Sequence, residues 1–203
     1  MANEESLMEE ILRLAECLAR LGGYRNFSMR RLAERASVTT SSITDHFGSK
    51  QQLAVAVVKR FGARVSERVG AADDPNVTPD VKMATFIDVY RQSITEDGQL
   101  CLYLVFGTEL HTLPNALQLE VKSFYANIYE WLETLLKRFP DYAPGRGSDA
   151  RRAAVTIVAS LNGAQICAKT AGDKSIFDVI VGQQYASGLI PGRNTTKARG
   201  PGA

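Results

Sequence analysis

Residues 37–50 read Ser37-Val38-Thr39-Thr40-Ser41-Ser42-Ile43-Thr44-Asp45-His46-Phe47-Gly48-Ser49-Lys50. Hydroxyl side chains crowd this stretch and are bracketed by Val38, Ile43 and Phe47. Ile43 and Phe47 lie about one helical turn apart, so they would pin a very short helix to a core and leave the Ser and Thr groups facing outward. Thr39 is placed to cap that helix, Gly48 to end it, and Ser49 to start the next, with Lys50 at its mouth. So many outward hydroxyls call for a partner surface.

Working back from this stretch, Ser28 stands where an N-cap belongs and Met29, Leu32, Ala33 and Ala36 give a second short helix, leaving only Ser37-Val38 as the turn. Before it, Met8, Ile11, Leu12, Ala15, Leu18 and Ala19 recur at the spacing of an amphipathic helix over Glu4 to Leu21. Glu4, Glu5, Glu9 and Glu10 suit the positive end of that helix, and Gly22-Gly23 stops it. Working forward, a long fourth helix from Gln51 to about Val69 carries Leu53, Val57, Phe61 and Val65 on one side and Lys59, Arg60, Arg64 and Arg68 on another.

After a break at Ala71 to Asn76 the helical period continues. Thr78-Pro79 opens a helix with Val81, Ala84, Phe86, Ile87 and Tyr90. Further helices are expected over Leu100 to His111, Asn115 to Phe139, Asp149 to Ala171 and Ser175 to Leu189, with a loop from Pro140 to Ser148. No strand alternation and no internal repeat appears. The reading is all-α with about nine helices: residues 1–50 as a three-helix N-terminal domain, 51–190 as a larger helical body whose first helix is the connector, and 191–203 as a disordered tail.

Composition narrows the function. The chain has 203 residues, a hydrophobic fraction of 45% and a formal net charge of +2, which fits an ordinary globular protein. The acidic N-terminus is unlike a secretory signal, and no apolar run reaches the roughly 18 residues that would cross a bilayer, so a cytoplasmic protein without membrane contact is expected. Asn-x-Ser/Thr triplets at Asn26, Asn76 and Asn194 are therefore read as coincidental. Cys17, Cys101 and Cys167 are scattered and lack metal-ligand spacing, so neither a metal nor another cofactor is expected.

Two short helices joined by a tight turn, the second rich in compact polar side chains, meet the needs of a helix-turn-helix: the first braces and the second offers hydrogen-bonding groups to the major groove. Around it Arg20, Arg25, Arg30, Arg31, Arg35 and Lys50 outnumber Glu34 and Asp45, a local basic field in a nearly neutral chain. Helix N-termini capped by Ser28, Thr39 and Ser49 present amides that suit phosphates. DNA-contacting candidates are Ser28, Arg30, Thr39, Thr40, Ser41, Ser42, Thr44, Asp45, His46 and Lys50.

From Ile11 to Val57 the chain resembles the N-terminal domain of the TetR family of bacterial transcriptional regulators, through Leu32-Ala33-x-x-Ala36-Ser37-Val38-Thr39, then Thr44-x-His46-Phe47, then Gly48-Ser49-Lys50-x-x-Leu53. It departs from that pattern at Thr44, where the family often has a phosphate-contacting Tyr, and at Asp45, where a neutral or basic side chain is usual. Asp45 would repel a phosphate but can accept from a cytosine amino group.

The resemblance implies a non-enzymatic, homodimeric repressor, released from a palindromic operator on double-stranded DNA by a small-molecule effector bound in the C-terminal body. Candidates for an effector cavity are the aromatic residues Phe86, Tyr90, Tyr103, Phe106, Phe124, Tyr125, Tyr129 and Trp131, with His111 and Cys101, and the aromatic ones point to an apolar or aromatic effector. Small residues along the eighth helix, with members of the ninth, form the expected dimer surface: Ala153, Ile157, Ser160, Leu161, Ala164, Ala168, Ile176, Val179, Ile180 and Gln184. Packing of these residues inside one chain is the alternative. Two other functions are carried: a thiol- or electrophile-sensing repressor triggered through Cys101, opposed by Cys101 as an inert core filler, and a helical adaptor that binds no DNA. Catalysis by Cys101 and His111 fails on separation if their helix is continuous.

Overall fold

The computed structural model describes residues 2–95, 98–142 and 149–192. Among them there are helices and turns but no strand, so the expected all-α class holds. The helices are α1 (Ala2–Asn26), α2 (Met29–Ala36), α3 (Thr40–Phe47), α4 (Lys50–Val69), α5 (Pro79–Thr95), α6 (Leu102–Thr108), α7 (Asn115–Leu136), α8 (Ala150–Ala171) and α9 (Ser175–Ala186). Most of the expected loop at Pro140 to Ser148 and most of the expected tail lie outside the described residues.

Several boundaries are tighter than the apolar period suggests. α1 is broken at Gly22-Gly23, where Gly23 takes φ 70 and ψ −171, a conformation closed to residues with a Cβ. α6 ends at Thr108 rather than His111, because Glu109 N–H turns back to Phe106 O at 3.2 Å and Leu110–Thr112 continue as a 3-10 turn. α7 stops at Leu136 for a similar reason, with Phe139 N–H reaching Leu136 O at 2.9 Å ahead of Pro140. α9 stops at Ala186, and Gly188 at φ 76 lets Ile190 N–H return to Gln184 O at 3.2 Å.

The chain forms two compact units. One comprises residues 1–64 and 101–124. Its core joins Ile11, Leu18, Phe27, Leu32, Ile43, Leu53, Val58, Leu102 and Phe106, all buried. Tyr103 OH donates to Val58 O at 2.9 Å, which ties α6 to α4. Gly62 makes room for that phenol, since a Cβ there would lie 2.6 Å from its oxygen. Glu16 of α1 is buried and accepts from Arg64 at 2.7 and 2.8 Å and from Arg60 at 3.4 Å, with Arg20 at 3.8 Å.

The other unit comprises the described residues within 65–100 and 125–192, built on Phe86, Ile87, Leu132, Leu135, Ile157, Leu161, Phe177 and Val181. Its α4–α5 corner is held by side chains on backbone carbonyls. Lys82 Nζ donates to Val69 O at 3.0 Å, Trp131 Nε1 to Gly70 O at 2.7 Å, and Arg138 to Ala72 O and Val77 O at 2.7 and 2.8 Å. Val69 O and Gly70 O stand at and just after the end of α4, where carbonyls lack intrahelical partners. Across α5 and α8, the buried Gln165 donates from Nε2 to Tyr90 O at 2.8 Å.

Candidate nucleic-acid interface

Local hydrogen bonds build the two short helices as their sequences specify. Ser28 Oγ accepts from Arg31 N–H at 3.4 Å and starts α2. Ser37 ends it in the left-handed region, φ 55 and ψ 40, with Val38 N–H bonded to Ala33 O at 3.1 Å. Thr39 Oγ1 then accepts from Ser42 N–H at 3.1 Å and lies 2.8 Å from Ser41 Oγ. Ser49 and Gln52 cap α4 reciprocally: Gln52 N–H donates to Ser49 Oγ at 3.2 Å and Ser49 N–H to Gln52 Oε1 at 2.8 Å.

Of the three apolar anchors Ile43 alone is fully buried, while Val38 and Phe47 are half-buried. Ile43 fixes which side of α3 faces away. Thr40, Ser41, Thr44, Asp45 and His46 are exposed, and Ser42 is half-buried. The hydroxyls are not equivalent: Thr39 is spent on the cap, and Thr44 donates to Thr40 O at 2.9 Å within its own helix. An open concavity of about 340 Å³ lies over this surface, lined by Met8, Thr39, Ser41, Ser42, Asp45 and His46. Met8, from α1, was not among the expected contacts, and no motif marks it.

The basic field is smaller than the sequence count. Arg20 is buried beside Glu16, and Arg30 pairs with Glu34 at 3.0 Å on the exposed side of α2. Lys50 places Nζ 4.4 Å from the centre of the Tyr24 ring, and partial burial lowers its ammonium pKa, opposed by the charge of Glu109. Lys50 is thus half-buried at the mouth of α4. Glu109 also accepts from Tyr24 N–H at 2.9 Å. Neither Tyr24 nor Glu109 carries a sequence signal, because their pairing spans two distant segments.

Residues 11–57 match the sequence model of bacterial regulatory proteins of the tetR family. The N-terminal domain is of the TetR family. Solved structures with a similar fold include a TetR transcriptional regulator from Legionella pneumophila, with 25% identity, a TM-score of 0.78, and coverage of 89% of this chain and 96% of that one. A TetR-family regulator from Agrobacterium tumefaciens gives 24% identity and a TM-score of 0.81, over 90% and 97% of the two chains. The reduced form of NemR from E. coli gives 17% identity and a TM-score of 0.71, over 89% and 96%. Comparison with curated proteins finds no match. Over about nine-tenths of its length the chain therefore shares the all-helical fold of these regulators, and α2 and α3 lie within the stretch that the family model matches.

Five of the ten expected effector contacts belong to each of the two units. Cys101, Tyr103, Phe106, His111 and Phe124 belong to the first unit, where Tyr103 stacks on Phe124 with ring centres 3.5 Å apart. Phe86, Tyr90, Tyr125, Tyr129 and Trp131 belong to the second, where Phe86 stacks on Trp131 at 5.2 Å and meets Tyr90 edge-on at 5.3 Å. His111 is exposed on the 3-10 turn. Cys101 precedes α6, and burial raises its thiol pKa against the amides of Leu104 and Tyr103, which favour the thiolate.

Of the residues expected at a dimer surface, Ala153, Ile157, Leu161, Ala164 and Ala168 are buried within their own chain. Ser160 is half-buried and takes a hydrogen bond from the buried Gln184. Ile176 and Ile180 are half-buried and Val179 is 68% exposed. Among the apolar residues that α8 leaves in the open are Val155, Ala159 and Ile166, beside Gly163, where an added Cβ would meet nothing. Both sides of α8 carry small or apolar side chains, so the period alone could not say which side faces in.

Proposed function

We propose that this protein is a homodimeric transcriptional repressor that inserts α3 of each subunit into the major groove of a palindromic operator and releases it when a small effector binds the helical body. One observation carries the DNA-binding part: buried Ile43 and the Thr39 cap hold α3 so that its exposed polar side chains stand together on the side away from the core. The open stripe Val155, Ala159, Ile166 on α8 with Val179 on α9 supports pairing of two copies, since these apolar groups share no interior of their own chain. The aromatic groups, each with polar tips, support an effector of apolar or aromatic character. Thiol sensing through Cys101 is the weaker trigger, because a raised thiol pKa reduces the reactive thiolate.

The test is titration of the protein into duplex fragments of its own upstream DNA over a salt series, with a Ser41→Ala, Ser42→Ala variant beside it. Saturable binding to one palindrome, weakened by salt and by the variant, is expected. Equal, weak binding of both proteins to every fragment would exclude the operator reading and favour a helical adaptor.

A further inference from the structure

We infer that Asp45 is a base-reading residue of α3 and that it selects cytosine. The inference rests on the reading of α3 as the helix that enters the groove. At 3.6 residues per turn, Ser41 and Asp45 each project about 160° from Ile43, on either side of the line opposite it. Ile43 is fully buried, so these two form the outer crest of the helix and reach furthest into whatever α3 meets. Both line the open concavity, together with Met8, Thr39, Ser42 and His46.

The crest is chemically narrow. Thr40–Phe47 contains neither lysine nor arginine, so the side chains that most often read guanine are missing. Ser41 Oγ is within hydrogen-bond distance of Thr39 Oγ1, and Thr44 is turned to its own backbone. Among the described residues no ion pair takes up the Asp45 carboxylate, which is exposed. A carboxylate only accepts hydrogen bonds, and phosphate oxygens repel it. Inside the groove, where water is displaced, a donor on a base edge is the partner that suits it.

Major-groove donors are the adenine N6 and cytosine N4 amino groups; guanine O6 and N7 and thymine O4 are acceptors. Beside its amino group adenine presents the N7 lone pair, which would oppose the second carboxylate oxygen. Cytosine presents a C–H there instead. The carboxylate thus accepts from cytosine N4 without a conflicting neighbour, and an acidic side chain in the recognition helix becomes a determinant of the operator sequence. Asparagine has the same shape with a donor and an acceptor side by side, the pattern that matches adenine N6 and N7.

The experiment is selection of duplexes from a randomised pool by the intact protein and by Asp45→Asn and Asp45→Ala variants, followed by binding titrations on the selected sequences. The wild type is expected to enrich a palindrome with a cytosine in each half-site whose replacement weakens binding about tenfold. Asp45→Asn should move that position from cytosine toward adenine and leave the others unchanged. Asp45→Ala should flatten it. Both variants should bind unrelated DNA more tightly at low salt, since a charge that repels phosphates is gone. An unchanged preference in both variants overturns the inference, as does loss of all DNA binding by Asp45→Asn with an unaltered melting curve. Enrichment of no sequence by the wild type would instead defeat the regulator reading on which the inference stands.

Discussion

Glu109 Oε2 accepts a 2.9 Å hydrogen bond from the backbone N–H of Tyr24, joining positions 85 residues apart. The carboxylate sits against the break in α1, where Gly23 adopts φ 70 and where an added Cβ would collide with it. The turn that breaks α1 is thereby fixed by a side chain following α6. Glu109→Ala should cost about 1–2 kcal/mol in denaturant unfolding, since a half-buried N–H loses its acceptor, and Glu109→Gln should cost less. Gly23→Ala should be worse than either, through backbone strain and collision together.

Ser37 is the non-glycine residue with positive φ among the described positions. A left-handed conformation costs an L residue about 1–2 kcal/mol, and glycine avoids most of it. Ser37→Gly should raise the melting temperature by roughly 2–4 °C with DNA affinity unchanged. A lower melting temperature would show that the serine side chain stabilises the turn.

Glu16 serves Arg20, Arg60 and Arg64 at once while almost fully buried. Removing one partner of a buried charge cluster commonly costs about 3–5 kcal/mol because the remaining charges lose compensation. Glu16→Ala should fall in that range by chemical denaturation. Arg64→Ala should cost much less, since that guanidinium is 45% exposed and water can take over.

Burial raises the phenol pKa values of Tyr103 and Tyr185, the latter from 10.0 to about 12. Above about pH 10 the unfolded chain releases these protons while the folded chain keeps them, so the unfolded state binds fewer protons and stability falls with rising pH. The contribution is complete below pH 10 and, for Tyr185, lost as pH passes about 12. Unfolding followed from pH 8 to 11 should show this decline, and Tyr185→Phe should flatten it. Tyr103→Phe should flatten it as well, but lose about 1 kcal/mol at neutral pH with the bond to Val58 O.

What could be read from sequence was what neighbours in sequence decide. Ser28, Thr39, Ser49 and Asp149 begin their helices with side-chain caps, and Gly22-Gly23 breaks α1, because capping and backbone freedom act within a turn. The burial of Ala153 and Ile157 rather than Val155 was not legible, since α8 is apolar on more than one side and only its neighbours choose. The same holds for Arg20, counted with the surface charge until Glu16 proved to be beside it. Helix ends at Thr108 and Leu136 were overrun because the apolar period continues past them while the hydrogen bonding tightens.

The chain contains one tryptophan, and its indole is anchored to Gly70 O and stacked on Phe86 at the corner between α4 and α5. Its fluorescence is therefore an intrinsic optical gauge of that corner, needing no attached dye. Release of the indole to water would shift emission to longer wavelength, whereas events elsewhere in the second unit that leave the corner closed would pass unseen. Light absorbed at a single position thus distinguishes local loosening of the loop from movement that leaves it intact.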